Sequence, residues 1–113
     1  MTKIIESNII GYELSNLGKE YTLSIDPTNN QKLSEKFSNA TLDEINYAIK
    51  KSKEAFNLYK QIPSKERAYF LETIADNIME LGDGLINRVQ KETALTEQRI
   101  IGERGRTVGQ LKL

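Results

Sequence analysis

Arg99-Ile100-Ile101-Gly102-Glu103-Arg104-Gly105-Arg106-Thr107-Val108-Gly109-Gln110-Leu111 is the stretch on which the reading of this chain turns. Its glycines lie three and four residues apart, and on a helix that spacing places all three on one face. Each glycine costs a helix interior about 1 kcal/mol relative to alanine. The run is therefore either not helical, or it is a helix whose bare strip is repaid by another backbone coming close, most naturally a sheet. Such a sheet is not evident in the sequence around it.

Three chemical uses of this run compete with plain packing. A phosphate-cradling loop needs the dinucleotide or P-loop glycine spacing directly after a strand; Gly-x-x-Gly-x-x-x-Gly has neither. Arg99, Arg104 and Arg106 could hold an anion, but Glu97 and Glu103 are interleaved with them, so a solvated or locally paired face is the better reading. Glu92 could act as an acid or base, yet no neighbour that would tune its pKa stands out.

Upstream, the pattern is helical. Thr41-Leu42-Asp43-Glu44 is a capping box with acids suited to a helix start. Leu42, Ile45, Ala48, Ile49, Ser52, Ala55, Phe56 and Tyr59 follow a three-four spacing, predicting an amphipathic helix over about 42–59 with that stripe inward. Pro63-Ser64 ends it and caps a second helix, about 65–81, whose apolar face is Ala68, Leu71, Ile74, Ala75, Ile78 and Met79. Gly82 is placed as its terminator. Asp83 then caps a third helix over about 84–92, and the glycine run makes a fourth over about 97–112.

Residues 8–37 read as strands and turns. Ile9–Leu14 and Tyr21–Ile25 are β-rich and predict a hairpin, with Gly18 supplying a positive φ in the turn between them. Asp26-Pro27-Thr28-Asn29-Asn30 is a second turn, where Asn29 or Asn30 tolerates the left-handed region. A third short strand spans Leu33 to Phe37. Tyr12, Tyr21, Tyr47, Tyr59 and Tyr69 are scattered, which suits core edges better than a stacking platform. There is no internal repeat, low-complexity tract or linker, so no domain boundary is visible.

Composition narrows the chemistry. The chain has 113 residues, 16 basic and 16 acidic, with no cysteine and no histidine. Zero net charge supplies no field to draw it to nucleic acid or anionic membrane. Disulfides, a thiol nucleophile, a histidine base and the usual zinc ligands are excluded together. No signal peptide or membrane span is evident, so a cytoplasmic location is expected.

The glycine run also carries a resemblance. Glu92, Thr93 and Leu95, then Arg99, Ile100, Gly102, Glu103, Arg104, Gly105, Arg106, Thr107, Gly109, Gln110 and Leu111, resemble a segment of the aldehyde dehydrogenase superfamily, most closely its 2-oxoglutarate semialdehyde (2,5-dioxovalerate) branch. Thr96 departs, since the family usually has proline there, but threonine can cap the helix instead. The Asp26-Pro27-Thr28-Asn29-Asn30 turn is similar to one near the family's opening, with Asn30 in place of glycine. The resemblance covers roughly Ile10 to Leu113.

It implies an α/β parent fold, of which this chain is an N-terminal β-hairpin and short strand followed by about four α-helices, part of the NAD(P)-binding domain. Its partner would be the remainder of the dehydrogenase chain, in an intact homo-oligomer, with no nucleic acid or membrane. The family oxidises an aldehyde to a carboxylate with NAD or NADP, using a cysteine thiolate, an oxyanion hole and a glutamate that activates water. None of those family positions falls in residues 1–113. The expectation is thus no catalytic, no cofactor-binding and no metal-binding residue here, and no activity or bound cofactor for the chain alone. The reading set against this is a free-standing helical interaction module without enzymatic activity.

Overall fold

The structure, a computed structural model, describes residues 3–113. Its strands are β1 Asn8–Ile10, β2 Glu13–Ser15, β3 Tyr21–Thr22, β4 Ile25–Asp26, β5 Gln31–Lys32 and β6 Phe37–Ser38. Its helices are α1 Leu42–Tyr59, α2 Ser64–Glu80, α3 Gly82–Thr93 and α4 Glu97–Leu111. Short strands followed by four helices are what the sequence predicts. The chain divides into two compact units, which the sequence reading did not anticipate: residues 4–24 with 33–62, and residues 25–32 with 63–113.

In the first unit the strand pairing differs from the expected hairpin. Ile9–Leu14 does not pair with Tyr21–Ile25; it folds on itself, with Ile9 opposite Leu14 and Ile10 opposite Glu13. Gly11 (φ 55°) and Tyr12 (φ 74°) form the two-residue turn. Positive φ at both central positions matches the right-handed twist of the flanking strands, so the short turn closes the ribbon at once. β3 instead pairs antiparallel with β6, Tyr21 opposite Ser38.

Gly18 does not supply a positive φ. It is glycine because a Cβ there would collide with the Asn39 carbonyl oxygen. The predicted third strand, Leu33 to Phe37, is replaced by the two flanking strands β5 and β6.

α1 begins as its sequence dictates. Thr41 Oγ1 accepts from the Glu44 amide at 3.1 Å, and Glu44 returns an acceptor to the Thr41 amide at 3.0 Å. The inward stripe is the correction. Ile45, Ile49 and Phe56 are exposed (46%, 61% and 60%), while the buried residue of the helix is Glu44, at 2%. The helix rests on the hairpin through its Glu44 side, because that carboxylate finds its donors there.

In the second unit β4 pairs with β5 around the Asp26–Asn30 turn. Asp26 Oδ1 accepts from the Thr28 amide (2.9 Å) and hydroxyl (2.6 Å), and Asn30 takes the left-handed conformation at φ 57°. α2 starts at Ser64 with Pro63 in the cap position and no side-chain cap. Gly82, at φ 58°, breaks the chain direction between α2 and α3. Asp83 lies in the first turn of α3 and is not its cap; the cap position is Leu81, without a side-chain bond. α4 packs on both α2 and α3. Ala75, Ile86 and Ile100 (0%, 2% and 5% exposed) are the core of this unit.

Candidate functional site

α4 is a continuous helix through the glycine run, which settles the choice left open by the sequence. Thr96, the departure from proline, caps it by accepting from the Arg99 amide at 3.3 Å. At about 100° per residue, Ile100, Arg104, Val108 and Leu111 share one side and, with Glu103 at its edge, are its buried or half-buried positions. Gly102, Gly105 and Gly109 lie on the opposite side and are all exposed. A Cβ built on any of them meets nothing within 4 Å. The strip therefore costs helix propensity, and no contact among the described residues repays it.

The arginines of the run are engaged locally. Glu103 accepts from Arg106 Nη2 at 2.6 Å and from Arg99 Nε at 3.2 Å. Arg106 first, through its hydrogen bond, and then Arg99 hold the Glu103 carboxyl below the usual carboxylate range. Arg104 Nη1 donates to the Gly82 carbonyl at 3.4 Å, tying α4 to the α2–α3 junction. Glu92 does have a partner, contrary to the sequence reading: Arg88 Nε donates to it at 2.9 Å. The signal was present, since residues four apart on a helix face each other.

A second polar cluster is one the sequence reading missed. Glu44 Oε2 accepts from the Ser15 hydroxyl at 2.5 Å, joining the end of β2 to the start of α1. The Ser15 hydroxyl, and next the Thr41 amide, pull the Glu44 carboxyl below its usual range against the opposing effect of burial. Glu44 lines a cleft of about 310 Å³ with Ile10, Glu13, Leu14, Ser15, Leu17, Asp43 and Tyr47. Its oxygens are committed to the fold, so the cluster reads as a clasp. Only the capping half of it, Thr41 with Glu44, is local enough to be read from sequence. Among the described residues no group of acidic side chains is arranged to hold a metal ion.

A shortage of cover is general. The chain exposes 9068 Å², whereas a folded monomer of its 12.9 kDa mass exposes about 6,300 Å², and two separate units of half that mass about 7,600 Å² together. Leu42, Leu58, Tyr69 and Leu17 are each more than 70% exposed. No helix among the described residues is long and apolar enough to cross a membrane.

A helix with a bare glycine face, short strands and many exposed apolar side chains are what the structure presents. Comparison with known proteins supplies the family. Residues 15–113 match the aldehyde dehydrogenase family model, and the chain belongs to that family. It is 48% identical over 77 residues to alpha-ketoglutaric semialdehyde dehydrogenase 2 of Azospirillum brasilense, covering 68% of this chain and 15% of that protein. It is 41% identical over 90 residues to the alpha-ketoglutaric semialdehyde dehydrogenase of Acinetobacter baylyi, covering 80% of this chain and 17% of that one. The chain thus spans about a sixth of the length of these relatives. No solved structure gives a significant match.

Proposed function

We propose that this chain is the N-terminal portion of an NAD(P)-dependent aldehyde dehydrogenase that oxidises 2-oxoglutarate semialdehyde to the dicarboxylate. Its own share is structural: the glycine face of α4 seats a nucleotide-binding sheet supplied by the rest of the enzyme. The observation that carries the reading is the family match over residues 15–113. The names of the two relatives supply the substrate.

We assign no residue of this chain to the nucleotide or to the chemistry. The groups that could hold a pyrophosphate support this. Thr96 already occupies the N-terminus of α4, and Arg99 and Arg106 are spent on Glu103. The chain has no cysteine to serve as the thiolate nucleophile of such a reaction. The nucleotide and the thiolate of the reaction therefore belong to other parts of the intact enzyme, which this reading places in the cytoplasm as a homo-oligomer.

The test has two arms. Purified 113-residue chain, assayed with 2-oxoglutarate semialdehyde and NAD or NADP, should produce no reduced nucleotide. The same residues, grafted into the Azospirillum relative in place of its matching segment, should yield a soluble enzyme that oxidises the semialdehyde. Turnover by the chain alone refutes the division of labour. A well-folded but inactive graft refutes the assignment to this enzyme.

A further inference from the structure

The outward stripe of α1 contradicts the pattern that made it. Ile45, Ile49 and Phe56 recur at helical spacing, the signature of a face meant for a core. Yet each is about half exposed or more, and Tyr59 continues the stripe at 38%. The helix is not misplaced by chance, because its capping box and the Ser15–Glu44 bond fix it by the other side. Such a stripe on a soluble surface marks an interaction site.

The rim indicates what fits there. By helical geometry Lys53 and Lys60 lie along one edge of the stripe, and Lys60 Nζ sits 5.5 Å from the centre of the Phe56 ring. A complementary surface is apolar at its centre and acidic along that edge, which suits the lysines and keeps the ring covered. The relatives contain about six times the matched length, so a longer enzyme has ample polypeptide to provide such a surface.

We infer that the Ile45–Ile49–Phe56 stripe of α1 is a docking face for an apolar, acid-rimmed surface in the remaining polypeptide of a longer dehydrogenase chain. This rests on the reading proposed above and concerns a face separate from the glycine strip. A second copy of this chain is the competing occupant.

The absence of cysteine makes a clean footprint possible. Ile49→Cys, Phe56→Cys and, on the face opposite the stripe by helical geometry, Glu54→Cys are each produced singly in the 113-residue chain. Each is reacted with a maleimide alone and after co-expression with the Azospirillum relative lacking its matching segment, with labelling read by peptide mass spectrometry. Thiols at 49 and 56 should react freely in the chain alone and at least tenfold more slowly in the complex, while position 54 changes less than twofold. In the same complex, Lys53→Glu with Lys60→Glu should weaken association at least fivefold.

Several results would overturn the inference. One is protection at 49 and 56 in the chain alone that grows with its concentration, which assigns the face to a second copy. Another is free labelling in the complex, or no association at all. Semialdehyde oxidation by a complex in which position 49 stays reactive would remove the docking face and leave the enzymatic reading standing. Protection without activity would do the reverse.

Discussion

Replacing Gly102, Gly105 and Gly109 together by alanine should stabilise the 113-residue chain. The reason is geometric: the three positions are exposed, and an added Cβ meets no atom within 4 Å at any of them. With no steric cost, only backbone propensity remains, worth about 0.8–1.0 kcal/mol per glycine in a helix interior. Gly109 lies two residues from the end of α4 at Leu111, where fraying discounts its share. The net gain is about 2 kcal/mol, or roughly 10 °C in Tm for a chain of this size. Urea and thermal unfolding followed by helical circular dichroism read it directly. In the grafted enzyme the sign should reverse, because three methyl groups would hold the sheet away from α4, an overpacking cost of roughly 1–3 kcal/mol at each tight contact. A triple variant that leaves the short chain unchanged or weaker refutes the bare-strip reading. A variant that stabilises the short chain and the long enzyme equally refutes the docking of a sheet.

Other outcomes follow from single positions. Ala94 holds a left-handed conformation at φ 60° at the end of α3, where a non-glycine residue pays about 1 kcal/mol. Ala94→Gly should therefore raise the urea midpoint by the equivalent of about 0.5–1 kcal/mol, some of the gain being lost to the freer unfolded chain. Gly18→Ala sets a Cβ against the Asn39 carbonyl oxygen, where the obstacle is backbone and cannot swing aside; a loss of about 1–3 kcal/mol should appear in the same titration. Glu44 is a carboxyl held below its usual range. Its contribution is therefore complete above the pKa it has in the unfolded chain and is lost as pH falls through the lower, folded value. Ser15→Ala removes the largest cause of that shift, so the acid-unfolding midpoint should move to higher pH, with little change in the Glu103 titration followed by carboxyl NMR.

Several features of this protein could be read from residue order because their causes are local. The capping box at Thr41 and Glu44, the left-handed Asn30, the breaker at Gly82 and the cap at Thr96 each involve atoms a few residues apart. The four helices followed from spacing for the same reason. The Arg88–Glu92 pair was equally local and was overlooked.

What residue order could not determine was which surface each element meets. Alternating β-rich runs are compatible with several pairings, and only the φ values at Gly11 and Tyr12 chose the tight ribbon over the wider hairpin. Gly18 is required by a carbonyl twenty-one residues away, a distance at which sequence spacing carries no information. The stripe of α1 and the glycines of α4 were visible as patterns, but a pattern does not state whether neighbouring atoms lie over it. The tertiary structure decided that, because burial depends on those atoms, and over these two faces the described residues supply few or none.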